Sequence, residues 1–191
     1  MDAIEALTSR VSVGRLTAPA PSAQQRQLIF KAALRAADHG CLRPWRFLVV
    51  EADGLIQLGE VFVKSAKLKE PQLSTEKSQR YLNMPLRAPM IVVAISRNEV
   101  HAKVPVIEQQ MAVAASVQNM ITAAHALGVG AYWRTGAITS SAVVKADLGI
   151  EEKETIVGFI YMGTANMAPR KVPDLSTEDF FTSWHEPIAN T

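Results

Sequence analysis

The sequence predicts an α+β or three-layer α/β/α domain, with four or five strands packed between helices. Two observations carry that prediction. Three apolar runs rich in β-branched residues, RFLVVE (46–51), MIVVAIS (90–96) and TIVGFIYMGTA (155–165), read as buried strands. Between them lie longer stretches whose apolar residues recur at helical spacing, so helices and strands alternate but helices predominate. At 191 residues and 48% apolar content the chain suffices for one domain with a substantial core.

In chain order, residues 2–9 predict a short helix, and TAPAPS (17–22) a Pro-punctuated turn whose Ser22 can cap the next helix. That helix, QRQLIFKAALRAAD, carries Leu28, Ile29, Ala32, Ala33 and Ala36 on one stripe, and DHGCLRP breaks it. After the 46–51 strand, residues 53–68 read as helix, and PQLSTEKSQRYLNMPLRAP as a polar, mobile segment limited by Pro71, Pro85 and Pro89. The 90–96 strand leads to a long helix over 106–128. Within it, MAVAASVQNMITAAHAL has twelve apolar residues in seventeen, but five polar groups interrupt it. That argues against a membrane span and for a helix buried nearly all round, covered in part by a second subunit. GVGAYWRTG enters a further strand or strand-like turn. SSAVVKADLG forms a short capped helix closed by Gly149, and an irregular, aromatic tail follows the 155–165 strand.

Composition removes several function classes. Net charge is +2, from 20 basic and 18 acidic residues without blocks, so no nucleic-acid partner is expected. The single Cys41 excludes an internal disulfide and an all-cysteine metal site. His39, His101, His125 and His185 lack metal-ligand spacing, and no metal is expected. GVG (128–130) follows a helix rather than a strand, so there is no Rossmann fingerprint; P-loop, zincin and nucleophile-elbow motifs are also missing. MDAIEALTS has no basic segment followed by an apolar run, so the expected address is the cytoplasm.

The remaining candidates are scattered. Arg10, Ser12 and Arg15 in RVSVGR have an anion-binding composition, since guanidinium forks match phosphate oxygens. Read alone, Arg10 equally closes the first helix, where the dipole favours a cation. Arg35, Asp38, His39 and Arg43 crowd the end of the second helix, and His39 can meet a ligand or simply pair with Asp38. Trp133-Arg134-Thr135-Gly136 puts an indole, a charge, a hydroxyl and a flexible backbone at a strand end, where ligands bind in open sheets. A tryptophan there also serves as ordinary core.

Taken in order, four stretches resemble the nitroreductase family of FMN flavoproteins. They are R-x-S-x-x-R followed by Pro (RVSVGRLTAPAP), the break and Pro-Trp of LRAADHGCLRPWRFLVVE, RAPMIVVAIS, and QNMITAAHALGVGAYWRTG. The last is the most specific, very close to the family's long central helix with its Gly-x-Gly exit. YMGTANMAPRKVPD matches the last core strand and basic tail. The likeness spans roughly residues 2–175 and is greatest to the compact YdjA-like branch.

The resemblance implies a nitroreductase-like α+β fold: a central mixed or antiparallel sheet of four or five strands flanked by helices, in an intertwined homodimer. Residues 1–191 would form a single FMN-binding domain, with 64–88 a mobile excursion. It implies that Arg10, Val11 and Ser12 grip the FMN phosphate, with Arg170 or Lys171 adding a cation. Arg35 and His39 become flavin contacts, and Trp133, Arg134 and Thr135 line the other side of the ring. Both chains would contribute to a flavin at the dimer interface. NADH or NADPH would supply hydride and a nitroaromatic, quinone or related small molecule would accept it, with no catalytic acid, base or nucleophile. The chain departs from the family at Val11 and Gly14, where many members have arginine, at Ala37 in place of proline, and at Gly40-Cys41 and Arg43 ahead of Pro-Trp. The alternatives are a flavoprotein dehydrogenase of one metabolite and a non-catalytic flavin-binding or sensor dimer.

Overall fold

The computed structural model describes residues 1–168 and 170–184. The expected strands form: β2 (Trp45–Glu51), β3 (Met90–Ser96) and β5 (Thr155–Ala165), joined by β4 (Gly130–Arg134). A two-residue β1 (Leu16–Thr17), too short to leave a periodic signal, completes a five-stranded, wholly antiparallel sheet. β5 is its hub, pairing with β3, β4 and, at its end, β1.

β3 lies between β5 and β2 and is buried along its whole length, so its two faces serve two cores. Met90, Val92 and Ala94 face α2 (Ala23–Ala33) and α5 (Val106–Ala126), with Val113, Val117, Met120 and Ala124 of α5 packed on them. Ile91, Val93 and Ile95 face α3 (Asp53–Lys69) and α6 (Ala142–Asp147) through Leu55, Leu58, Phe62 and Val144. Strand alternation on a two-sided sheet therefore produces three layers.

The caps are local. Ser22 accepts from the Gln25 backbone at 3.3 Å while Gln25 accepts from the Ser22 backbone at 2.9 Å, a reciprocal box that starts α2. Ser141 caps α6, and Gly149, at φ +62°, closes it. α1 (Ala3–Ser9) lies against α5.

Three differences from the sequence reading matter for function. α2 ends at Ala33, short of the predicted Asp38, because the chain turns away to carry His39 to the start of α5. The polar stretch after α3 holds a regular helix, α4 (Thr75–Leu82), capped by Ser74 and packed on α3. Gly59 permits this approach, since a Cβ there would stand 3.1 Å from Leu82 Cα and closer still to its carbonyl oxygen. Finally, α5 is not buried all round: Ile107 and Met111 are 56% and 60% exposed, on one face with the exposed Gln118 and Ala126. No helix among the described residues is long and apolar enough to cross a membrane.

Candidate functional site

The end of α5 and the start of β4 carry the RVSVGR segment. Gly128 turns the chain at φ +73°, and Val129 N then donates to Ala124 O at 2.8 Å. Gly130 has a different reason: a Cβ there would lie 2.5 Å from Leu16 Cδ2 and 3.2 Å from Gly163 O. The first glycine of the Gly-x-Gly exit supplies a left-handed turn, and the second admits the strand that follows RVSVGR.

On this platform residues 10–15 run along β4, with Val13 N donating to Ala131 O at 3.0 Å and Asn166 N to Arg15 O at 3.0 Å. Arg10, Val11 and Ser12 are half-buried, and Arg10 Nη1 donates to Ser12 Oγ at 3.5 Å. Gly14 has no left-handed φ to explain it. A Cβ there would sit 3.8 Å from Tyr132 Cε2 and 4.0 Å from Arg170 Nη2, so the Arg170 guanidinium reaches the backbone of residue 14. It occupies space that a long side chain at 14 would claim. The Arg134 guanidinium lies over the Tyr132 ring, 4.1 Å from its centroid, and 5.3 Å from that of Tyr161.

Arg134 and Arg170 thus come together around Tyr132 and Gly14, and Arg10 and Ser12 belong to the same segment as Gly14. Among the described residues none of these three arginines pairs with a carboxylate. Arg134 Nε is buried with no hydrogen-bond partner, an arrangement that costs free energy unless an acceptor arrives. Burial pushes the Tyr161 hydroxyl up to about 12, against the opposing pull of Arg134 and Arg87, so it remains a protonated donor at neutral pH. Unpaired guanidiniums, a hydroxyl and an orphaned N–H fit a ligand rich in oxygen acceptors and negative charge.

The other predicted residues lie elsewhere. His39 sits on a 3-10 turn made possible by Gly40 at φ +73°. Its Nδ1 meets Glu108 Oε2, so its partner is Glu108 and not Asp38, whose carboxylate instead accepts from Arg43 N at 2.6 Å. Arg35 is exposed and lines a depression of about 430 Å³ between α1, α2 and α5, with Leu7, Gln118 and Thr122. Within one chain, the RVSVGR end of the site lies against residue 125 of α5, through Ser9 and His125. His39 lies against residue 108. At the helical rise these ends are about 25 Å apart along the axis, which makes them separate clusters.

Trp133 and Arg134 also part company. Consecutive strand residues face opposite ways: Arg134 joins Tyr132, whereas Trp133 packs into the α2–α5 core and donates from Nε1 to Val157 O at 3.3 Å. The two side chains therefore leave β4 on opposite faces. Thr135 is exposed just beyond β4. Tyr132, not among the residues the sequence singled out, shares its strand face with Arg134 through the period-two alternation of β4. Among the described residues no group of three or more His, Cys, Asp or Glu could hold a metal; His185 lies outside them.

The sequence pattern of the Nitroreductase family matches residues 7–164. The chain is 39% identical over 168 residues to the candidate NAD(P)H nitroreductase YdjA of Escherichia coli strain K12, covering 87% of this chain and 90% of that relative. Among solved structures, a nitroreductase-like family protein from Bacillus cereus superposes with a TM-score of 0.81 at 20% identity, covering 97% of each chain. A candidate nitroreductase from Desulfovibrio desulfuricans, solved in complex with FMN, superposes at 0.73 with 24% identity, covering 94% of this chain and 95% of the other.

Proposed function

We infer the function from one premise: this chain belongs to the nitroreductase family. The reading it supports best is an FMN-dependent NAD(P)H oxidoreductase acting on nitroaromatic, quinone or related small-molecule acceptors. The chemistry supplied by bound FMN is the passage of hydride from NADH or NADPH to the acceptor. The observation that carries the reading is the cluster of unpaired guanidiniums around Gly14 and Tyr132, with the buried, partnerless Arg134 Nε among them.

In this reading Arg10, Val11, Ser12 and Arg170 bind the phosphate, and Arg134 and Thr135 orient the ring from the end of β4. Arg134, held over the Tyr132 ring, would place a positive charge where negative charge gathers on reduction. Trp133 acts behind them as the core anchor of that strand end. No side chain is assigned as acid or base, and the proton comes from solvent.

Arg35 and His39 contribute from the second copy. The distance of His39 from RVSVGR along α5 supports a homodimer in which each flavin meets one end of each chain, whereas Arg35 lies nearer the RVSVGR end, beside Leu7 and Ala126. The open apolar face of α5 at Ile107 and Met111 also supports the homodimer. The whole chain acts as one FMN-binding domain, with residues 64–88 as its proposed mobile excursion, in which α4 packs on α3. The cytoplasm is the proposed address.

The test is an absorption spectrum of purified protein with FMN, before and after anaerobic NADH or NADPH. A bound-flavin spectrum that bleaches supports the oxidoreductase. A bound flavin that stays oxidised favours a non-catalytic flavin-binding dimer. Failure to bind FMN removes the proposal.

A further inference from the structure

His125, in the last turn of α5, belongs to none of the groups assigned so far, yet it touches the residue from which the phosphate grip departs. Its Nε2 stands 2.9 Å from Ser9 Oγ. Ser9 Oγ also lies 2.6 Å from Glu5 O, one turn back in α1. A serine hydroxyl has one proton, and a carbonyl can only accept, so that proton goes to Glu5. Ser9 is therefore the acceptor towards His125, and the imidazole carries its proton on Nε2.

This contact has consequences for Arg10. α1 has a single buried residue, Ala6, and leaves Ile4 and Leu7 largely exposed, 69% and 60%, so apolar packing holds its seven residues weakly. Residues 10–12 follow at once and are then tied at Val13 to Ala131 of β4. The grip is suspended between two anchors, the Ser9–His125 hydrogen bond and the Val13–Ala131 backbone bond. Both anchors lie on one unit, because Val129 N to Ala124 O and Gly128 N to His125 O lock the end of α5 to the start of β4. Only the first anchor depends on a side chain.

We propose that His125 is a positioning residue for phosphate recognition: by donating to Ser9 it sets where Arg10 and Ser12 present their donors, without touching the ligand. The proposal rests on the reading of RVSVGR as the phosphate grip. It makes a claim that loss of packing would not reproduce: removing the contact harms binding of a flavin with a phosphate and leaves one without it almost unaffected.

The experiment compares FMN with riboflavin, which lacks the phosphate, by flavin-fluorescence titration of wild type, His125→Leu, His125→Gln, Ser9→Ala and Arg10→Ala. Ser9→Ala approaches the same contact from the other partner, with a good helix former in α1, so it reports even if His125→Leu folds poorly. Expected is about a fivefold to tenfold loss of FMN affinity for His125→Leu and Ser9→Ala. Riboflavin affinity should change less than twofold, and His125→Gln, which retains an N–H donor, should recover part of the loss. Ser9→Ala combined with Arg10→Ala should lose less than the product of the single effects, because both act through one contact to the phosphate. Equal losses for FMN and riboflavin, or an unchanged FMN affinity in Ser9→Ala, overturn the positioning role while wild type still prefers FMN. A wild type that does not distinguish FMN from riboflavin overturns the phosphate-grip reading itself, and this inference with it.

Discussion

Gly158 of β5 offers a direct test of how the core holds the end of β4. A Cβ built there would overlap Trp133 Nε1, lie 2.6 Å from Trp133 Cδ1 and 3.1 Å from Arg134 O. None of these atoms can easily give way. The indole packs into the α2–α5 core and donates to Val157 O, while the Arg134 carbonyl belongs to the β4–β5 ladder. Gly158→Ala must therefore move the indole or open the ladder. Overpacking of this kind costs about 1–3 kcal/mol, and loss of the indole hydrogen bond adds about 1 kcal/mol. The sum, about 2–4 kcal/mol, lowers the melting temperature of a chain this long by about 4–16 °C. Differential scanning fluorimetry reads the shift, and near-UV circular dichroism reports whether the indole has moved. Combining Gly158→Ala with Trp133→Phe, which shortens the obstructing side chain, should recover part of the loss, by about 0.5–3 kcal/mol of coupling. A melting temperature within about 2 °C of wild type, with the aromatic spectrum unchanged, would refute the packing argument. Displacement of Trp133 also shifts Arg134, so the variant should hold FMN less firmly than its stability alone dictates.

Arg10→Ala removes a charged donor and should weaken FMN binding by about tenfold to a hundredfold with the dimer retained; unchanged affinity in a fluorescence titration removes the site assignment. Met111→Glu puts a carboxylate on the open apolar face of α5 and should shift the protein towards monomer in size-exclusion chromatography with light scattering; an unchanged mass places the interface elsewhere. The hydrogen bond from Arg46 holds Glu154 below the usual carboxylate value, and Glu154 holds Arg46 above its own. A carboxyl group lowered in the folded state stabilises it above its unfolded pKa and loses that contribution as pH falls. Glu154→Gln should therefore be less stable than wild type at pH 7, and acid titration should close the gap below about pH 4.5; a gap independent of pH would show that the charge is not responsible.

The sequence by itself determined the layers, because the information is local. The apolar runs at 46–51, 90–96 and 155–165 appear as strands at nearly the same limits, and Ser22 and Gly149 cap the helices they were expected to cap. Each of these features is decided within a turn or two of chain by capping chemistry and side-chain period. The family resemblance likewise rests on contiguous motifs. What the tertiary structure decided is which neighbours in sequence remain neighbours in space. Trp133 and Arg134 are adjacent residues with opposite fates, the first in the core and the second on Tyr132. His39 passes over the adjacent Asp38 for a carboxylate 69 residues away. Arg170 fills the space beside Gly14, a position that read on its own is only a missing side chain. α5 looked apolar enough to be buried nearly all round, but one sheet face, α1 and α2 cover only part of it in a single chain. Such relations depend on packing between distant segments, and no local pattern of the chain carries them.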